Sequence, residues 1–204
     1  MHKIMVPIKT HVKRVVGTLA VVLLIVGFGY YHWSERVADP KRLPAADGIE
    51  VHVASGDVEI IGDSVAFVTV TVSGPGTDDA RGANVSISRN RSPVLVEISG
   101  VPQGSRARIE VPSSSSVAVS MRAGNLSIGG VRGDIYALLR AGSMTIHVRS
   151  TTDYDSCSGF VLAGSLDASP FGVNKDGVWR TFRRTGSGRG TLDAHVTSGE
   201  LVLE

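Results

Sequence analysis

Cationic and aromatic residues crowd into one stretch of this chain, PFGVNKDGVWRTFRRTGSGR at residues 170–189. Lys175, Arg180, Arg183, Arg184 and Arg189 face a single acid there, Asp176, and Trp179 and Phe182 lie among them. Guanidinium forks match phosphate and carboxylate oxygens two at a time, and aromatic rings stack or insert at interfaces. The chemistry this pattern predicts is recognition rather than bond-making. Anionic lipid headgroups, a phosphate-rich wall polymer or an envelope protein are the partners it fits. The competing expectation is a β-hairpin, because Val178, Arg180 and Phe182 alternate with Trp179, Thr181 and Arg183. One face would then pack on the rest of the fold and the other would be solvated.

Other reactive residue types are scattered. His52 and His195 occupy equivalent outward positions far apart in the chain, and His147 follows a core isoleucine; this spacing predicts no metal site and no cofactor. Asp78-Asp79 lies in a loop string, GPGTDDARG, where adjacent carboxylates rarely converge on one bond. A glycan-cleaving enzyme needs two acids converging on an exposed groove, and no acidic column emerges. Cys157, the single cysteine, falls at a core position and reads as an inert buried thiol. Arg132-Gly133-Asp134 spells a cell-adhesion tripeptide, but it leads into core Ile135 and reads as structural.

What positions these residues is a repeat. Five copies of one phrase end in Ser55-Gly56, Ala123-Gly124, Ala141-Gly142, Ala163-Gly164 and Ser198-Gly199. They align without gaps at five columns. Six before the small residue stand Ile49, Val117, Ile135, Cys157 and Leu192. Four before stand Val51, Val119, Ala137, Gly159 and Ala194. Two before stand Val53, Met121, Leu139, Val161 and Val196. Three after stand Val58, Leu126, Met144, Leu166 and Leu201, and five after stand Ile60, Ile128, Ile146, Ala168 and Leu203. All but Gly159 of these 25 are apolar in a chain that is 42% hydrophobic, so the columns are a core pattern. Period two means a strand with one buried face, and glycine supplies the sharp corner between two such strands. A single copy cannot bury its apolar face alone, so the copies must stack. The prediction is an all-β, single-domain β-solenoid over 48–204, with 170–189 inserted before the last coil. The 68 residues between the first two glycines leave room for two or three less regular turns.

The N-terminal end has a different composition. Residues 15–31 carry no charge, Tyr30, Tyr31 and Trp33 cluster at their outer end, and Lys3, Lys9, Lys13 and Arg14 precede them. This predicts one transmembrane signal anchor at 15–33, a cytoplasmic tail at 1–14 and a linker at 34–47. The repeat domain is then extracytoplasmic on a single-pass cell-membrane protein. Seven of the 21 basic residues but only two of the 19 acids lie in the first 42, so the remainder is net acidic. The basic balance of the whole chain therefore predicts no nucleic-acid binding.

The phrases ASGDVEI, IEVP, RAGNLSI, GGVRGDI, LLRAGSMTI and VTSGELVL resemble the bacterial putative-adhesin β-strand-repeat family, a domain of unknown function similar to adhesin-head repeat domains. The resemblance spans roughly residues 46–204. It implies an envelope-facing β-solenoid and transfers no catalytic residue. Residues and resemblance together predict a non-catalytic, adhesin-like structural or interaction module of the bacterial cell envelope. The alternatives are a self-assembling scaffold that pairs homo-oligomerically through an open C-terminal edge, and a wall-glycan enzyme.

Overall fold

The core columns demand strands that bend without losing their apolar face, and the computed structural model, which describes residues 48–74, 83–88 and 92–204, contains them. The tail, anchor and linker expectations, and Asp78-Asp79, fall outside the described residues. By its internal contacts the chain divides at Asp39/Pro40, and every described residue belongs to the second unit. Among the described residues no helix is long and apolar enough to cross a membrane. The described architecture is all-β. Its strands are β1 (Gly48–Asp63), β2 (Thr69–Ser73), β3 (Asn84–Ser88), β4 (Val94–Ser99), β5 (Arg106–Pro112), β6 (Ser116–Gly129), β7 (Ile135–Ile146), β8 (Tyr154–Ala168), β9 (Val173–Thr185) and β10 (Gly190–Leu203).

Five of these, β1, β6, β7, β8 and β10, carry the repeated phrase. Val53 and Val58 are five residues apart and both buried, which an unbroken period-two strand forbids. The corner resolves the conflict: Gly56 has φ 128°, and its counterparts lie between 119° and 138°. The corner glycines also stack on one another. A Cβ on Gly142 would collide with the carbonyl oxygen of Gly124, and one on Gly199 with that of Gly142. Glycine is therefore required twice over, by the backbone angle and by the approach of the next rung. All 25 column residues are buried, Gly159 included.

The rungs do not stack in chain order. The sheet runs β2-β5-β1-β6-β7-β10-β8-β9. β10 lies parallel between β7 and β8, with Leu192 beside Ile135 on one side and Cys157 on the other. This overturns the expectation of an open C-terminal edge. Both sides of β10 already carry ladder hydrogen bonds, so it offers no free edge for self-assembly. Its place is fixed by side chains that reach across. Asp134 Oδ1 accepts from the Thr191 amide at 2.7 Å, and Ser158 Oγ donates to Asp193 Oδ1 at 2.6 Å.

The stretch between β1 and β6 is likewise more economical than two or three turns. β4 and β5 together form one irregular rung on the other side of β1. Val101 fills the place where a corner glycine would stand, donating its amide to Ser55 O at 2.9 Å. β2 and β3 then close that end antiparallel to β5 and β4. At the opposite end β9 runs antiparallel to β8. The interior of the ladder is thus parallel and both ends are antiparallel.

Candidate interaction surface

The basic-aromatic stretch becomes a short 3-10 turn, Ser169–Phe171, followed by β9. Strand pairing decides which way each side chain points, because directly opposed residues share a face. Arg184, Phe182, Arg180, Lys175 and Val173 oppose Cys157, Gly159, Val161, Leu166 and Ala168, all on the core face of β8. The inward positions of the end strand are therefore mostly cationic.

Phe182 is, with Val173, one of the two apolar residues among them and is the key to Gly159. Its ring, 7% exposed, occupies the space over the one core position that lacks a side chain, and it packs on Phe171 at 5.0 Å between centroids. Phe182 is therefore a core residue, and the hairpin expectation describes it better than the binding one. Arg184 lies over the Phe171 ring at 5.8 Å. Lys175 Nζ donates to the Thr181 carbonyl at 2.9 Å, bridging the two arms of the bent strand. Arg180 is half-buried. Lys175 and Arg184 are exposed and carry their charge to the rim, whereas the Arg180 Nε is buried with no hydrogen-bond partner among the described residues.

Four residues remain from the sequence-predicted set and its neighbourhood. Arg183 points outward and is exposed. Val178 and Trp179 form the corner of β9 and are 68% and 55% exposed, two of the three large hydrophobics so placed among the described residues. Trp179 has φ 62°, the only positive φ among the described non-glycine residues. That conformation costs roughly 1–2 kcal/mol. One edge-on contact with Phe160, at 5.5 Å, holds the ring. Arg189 departs from the group altogether and lines a cleft among the turns.

The histidines acquire partners that the sequence reading missed. His52 Nε2 lies 2.7 Å from Glu50 Oε1, and His195 Nε2 lies 2.6 Å from Asp193 Oδ1. Each acid stands two residues before its histidine, on the same face, and that spacing was the available signal. His195 is more enclosed than an outward position predicts, because β10 is interior and Phe160 of the next rung stands 5.7 Å away. Ser158, Asp193 and His195 have the residue types of a hydrolase triad but not its connectivity. The hydroxyl donates to the carboxylate oxygen that the imidazole also meets, so Ser158 is not bonded to a base. The group clamps β10 to β8. Cys157 is buried beside it, and burial, with help from Asp193, pushes its thiol up to about 12. Asp134 of the Arg-Gly-Asp string holds the start of β10, in keeping with a structural role.

No family model and no curated protein matches the chain. Among solved structures it is similar to a "putative cell adhesion protein" from Clostridium sporogenes, with a TM-score of 0.48, 8% identity, and coverage of 78% of this chain and 93% of that one.

Proposed function

We propose that the chain is a membrane-anchored, extracytoplasmic β-solenoid that acts as a non-catalytic, adhesin-like interaction module of a bacterial cell envelope. The short connection between parallel neighbours β6 and β7, residues 130–134, supports the solenoid reading, since only a strand already turned back at Gly124 closes in five residues. The uncharged run at 15–31 with its flanking lysines supports the anchor. The contact surface is the outer side of β9, where Val178 and Trp179 project at the corner and Arg183 is exposed further along the strand, toward a partner that offers both anionic groups and apolar surface.

One observation carries this assignment of the contact: a tryptophan is held exposed in a left-handed backbone conformation that burial does not offset. A photo-crosslinking residue placed at Val178 of the full chain in cells should capture an envelope component that one at Thr145, on β7, does not. Trp179→Gly combined with Arg183→Glu should reduce that capture about tenfold or more, the scale of losing a central aromatic contact. Equal capture from positions 178 and 145 overturns the reading.

A further inference from the structure

We infer a second binding site, for a hydroxyl-bearing phosphodiester, in the cleft formed by the turns that join the rungs. The cleft has a volume of about 690 Å³, within the usual range for small-ligand sites. Three arginines line it, each from a different turn: Arg132 between β6 and β7, Arg149 between β7 and β8, and Arg189 between β9 and β10. All three are exposed, and none of their guanidiniums has a hydrogen-bond or ion-pair partner among the described residues. Chain order separates them by up to 57 positions; the interior placement of β10 is what gathers them.

The floor of the cleft is rigid main chain. Gly130 packs so closely on Gly62, and Gly188 on Asp153, that a Cβ at either would strike backbone. Arg132 N donates to Ser113 O at 2.7 Å and Arg189 N to Asp153 O at 3.2 Å, so two of the three arginines start from fixed backbone. None of the three guanidiniums is spent on a carboxylate among the described residues, so their donors are open to an oxyanion. Fifteen N–H donors, about five per guanidinium, exceed what one carboxylate accepts and suit successive phosphodiesters.

The lining also dictates what separates the phosphates. Asp63 and Asp153 stand in the same cleft with the hydroxyls of Ser64, Thr152 and Ser187. Carboxylates repel an unbroken phosphate chain but accept hydrogen bonds from alcohol groups. A ligand that alternates phosphate with a polyol satisfies both sets. Such chemistry occurs in a soluble glycerol-phosphate polymer and in the headgroup of phosphatidylglycerol. The site shares no residue with the β9 corner and does not rest on the role assigned there.

The test titrates the full-length chain, held in nanodiscs of neutral lipid, with a glycerol-phosphate oligomer, with soluble dihexanoyl phosphatidylglycerol and with inorganic polyphosphate. The oligomer or the short lipid should bind more tightly than polyphosphate, and which of the two binds identifies the source. Arg132→Gln, Arg149→Gln and Arg189→Gln should each weaken binding about tenfold, the scale of one hydrogen bond to a charged group. Val178→Ser/Trp179→Gly should leave it unchanged. The inference is overturned if the parent binds neither glycerol phosphate, if the triple arginine variant binds like the parent, or if only the β9 variant loses binding. Circular dichroism checks folding, and the single Arg149→Gln variant gives the same readout should the triple variant not fold.

Discussion

β9 and β10 follow one another in the chain and differ in almost every physical respect. β10 alternates buried and half-exposed residues along most of its length, whereas β9 exposes nearly all of its residues except Phe182. The difference follows from position in the stack. β10 has a rung on each side, so its inward residues must be apolar and its corner must be glycine. β9 has one neighbour, and charge at its inward positions costs little because the rim is open to water. Inward-pointing charge on an end strand also prevents another rung from adding, a protection that edge strands need. Composition here reports place in the ladder, not place in the chain.

The corner glycines test this contrast most severely. Gly199 in β10 and Gly177 in β9 both have positive φ, 135° and 114°. A Cβ on Gly199 meets the backbone of Gly142, while one on Gly177 meets only the end of the Arg180 side chain. Gly199→Ala should cost more than about 4 kcal/mol, enough to threaten the fold, and Gly177→Ala about 1–3 kcal/mol of backbone strain alone. Chemical denaturation of both variants measures the gap, and equal losses would remove the distinction between interior and end rungs.

Phe182 tests whether β9 belongs partly to the core. Phe182→Ala should cost about 3–5 kcal/mol. Gly159→Ala introduces a Cβ that meets a flexible Leu201 methyl at 3.1 Å, so in the Phe182→Ala background it should recover part of the loss. A double-mutant cycle showing simple additivity would refute the pairing of ring and glycine.

The smallest expected effect is at high pH. Burial raises Cys157 from 9.0 to about 12, and burial, with Cys157 and Asp153, raises Tyr154 from 10.0 to about 12. Each group holds its proton more tightly folded than unfolded, so its stabilising contribution is full below the unfolded value and is lost as pH rises toward 12. Melting temperature should fall between pH 8 and pH 11, and Cys157→Ala should shrink that fall. A fall of the same size in the variant would show that the thiol does not contribute.

The core was legible because its rule is local: alternate apolar residues and a corner glycine, repeated until coincidence is untenable. Gly159 was legible as a gap but not as a socket, since only pairing with β9 reveals that Phe182 fills it. Stacking order was not legible. Every rung carries the same columns, so hydrophobic pattern accepts any sequence of neighbours. The choice rests on single contacts such as Asp134 to Thr191 and Ser158 to Asp193, which have no periodic signature. The basic cluster was legible as composition, yet the fold divides it among a core ring, rim cations, an exposed corner and a distant cleft.

The interior seat of β10 has a kinetic side. β7 and β8 emerge in succession from synthesis with matching columns and a short link, and pairing them directly would satisfy the same hydrophobic pattern. In the finished molecule they are not neighbours. Adding rungs in chain order therefore does not give the finished stack. The turn cleft, with its arginine from each of three links, exists only once β10 lies between β7 and β8.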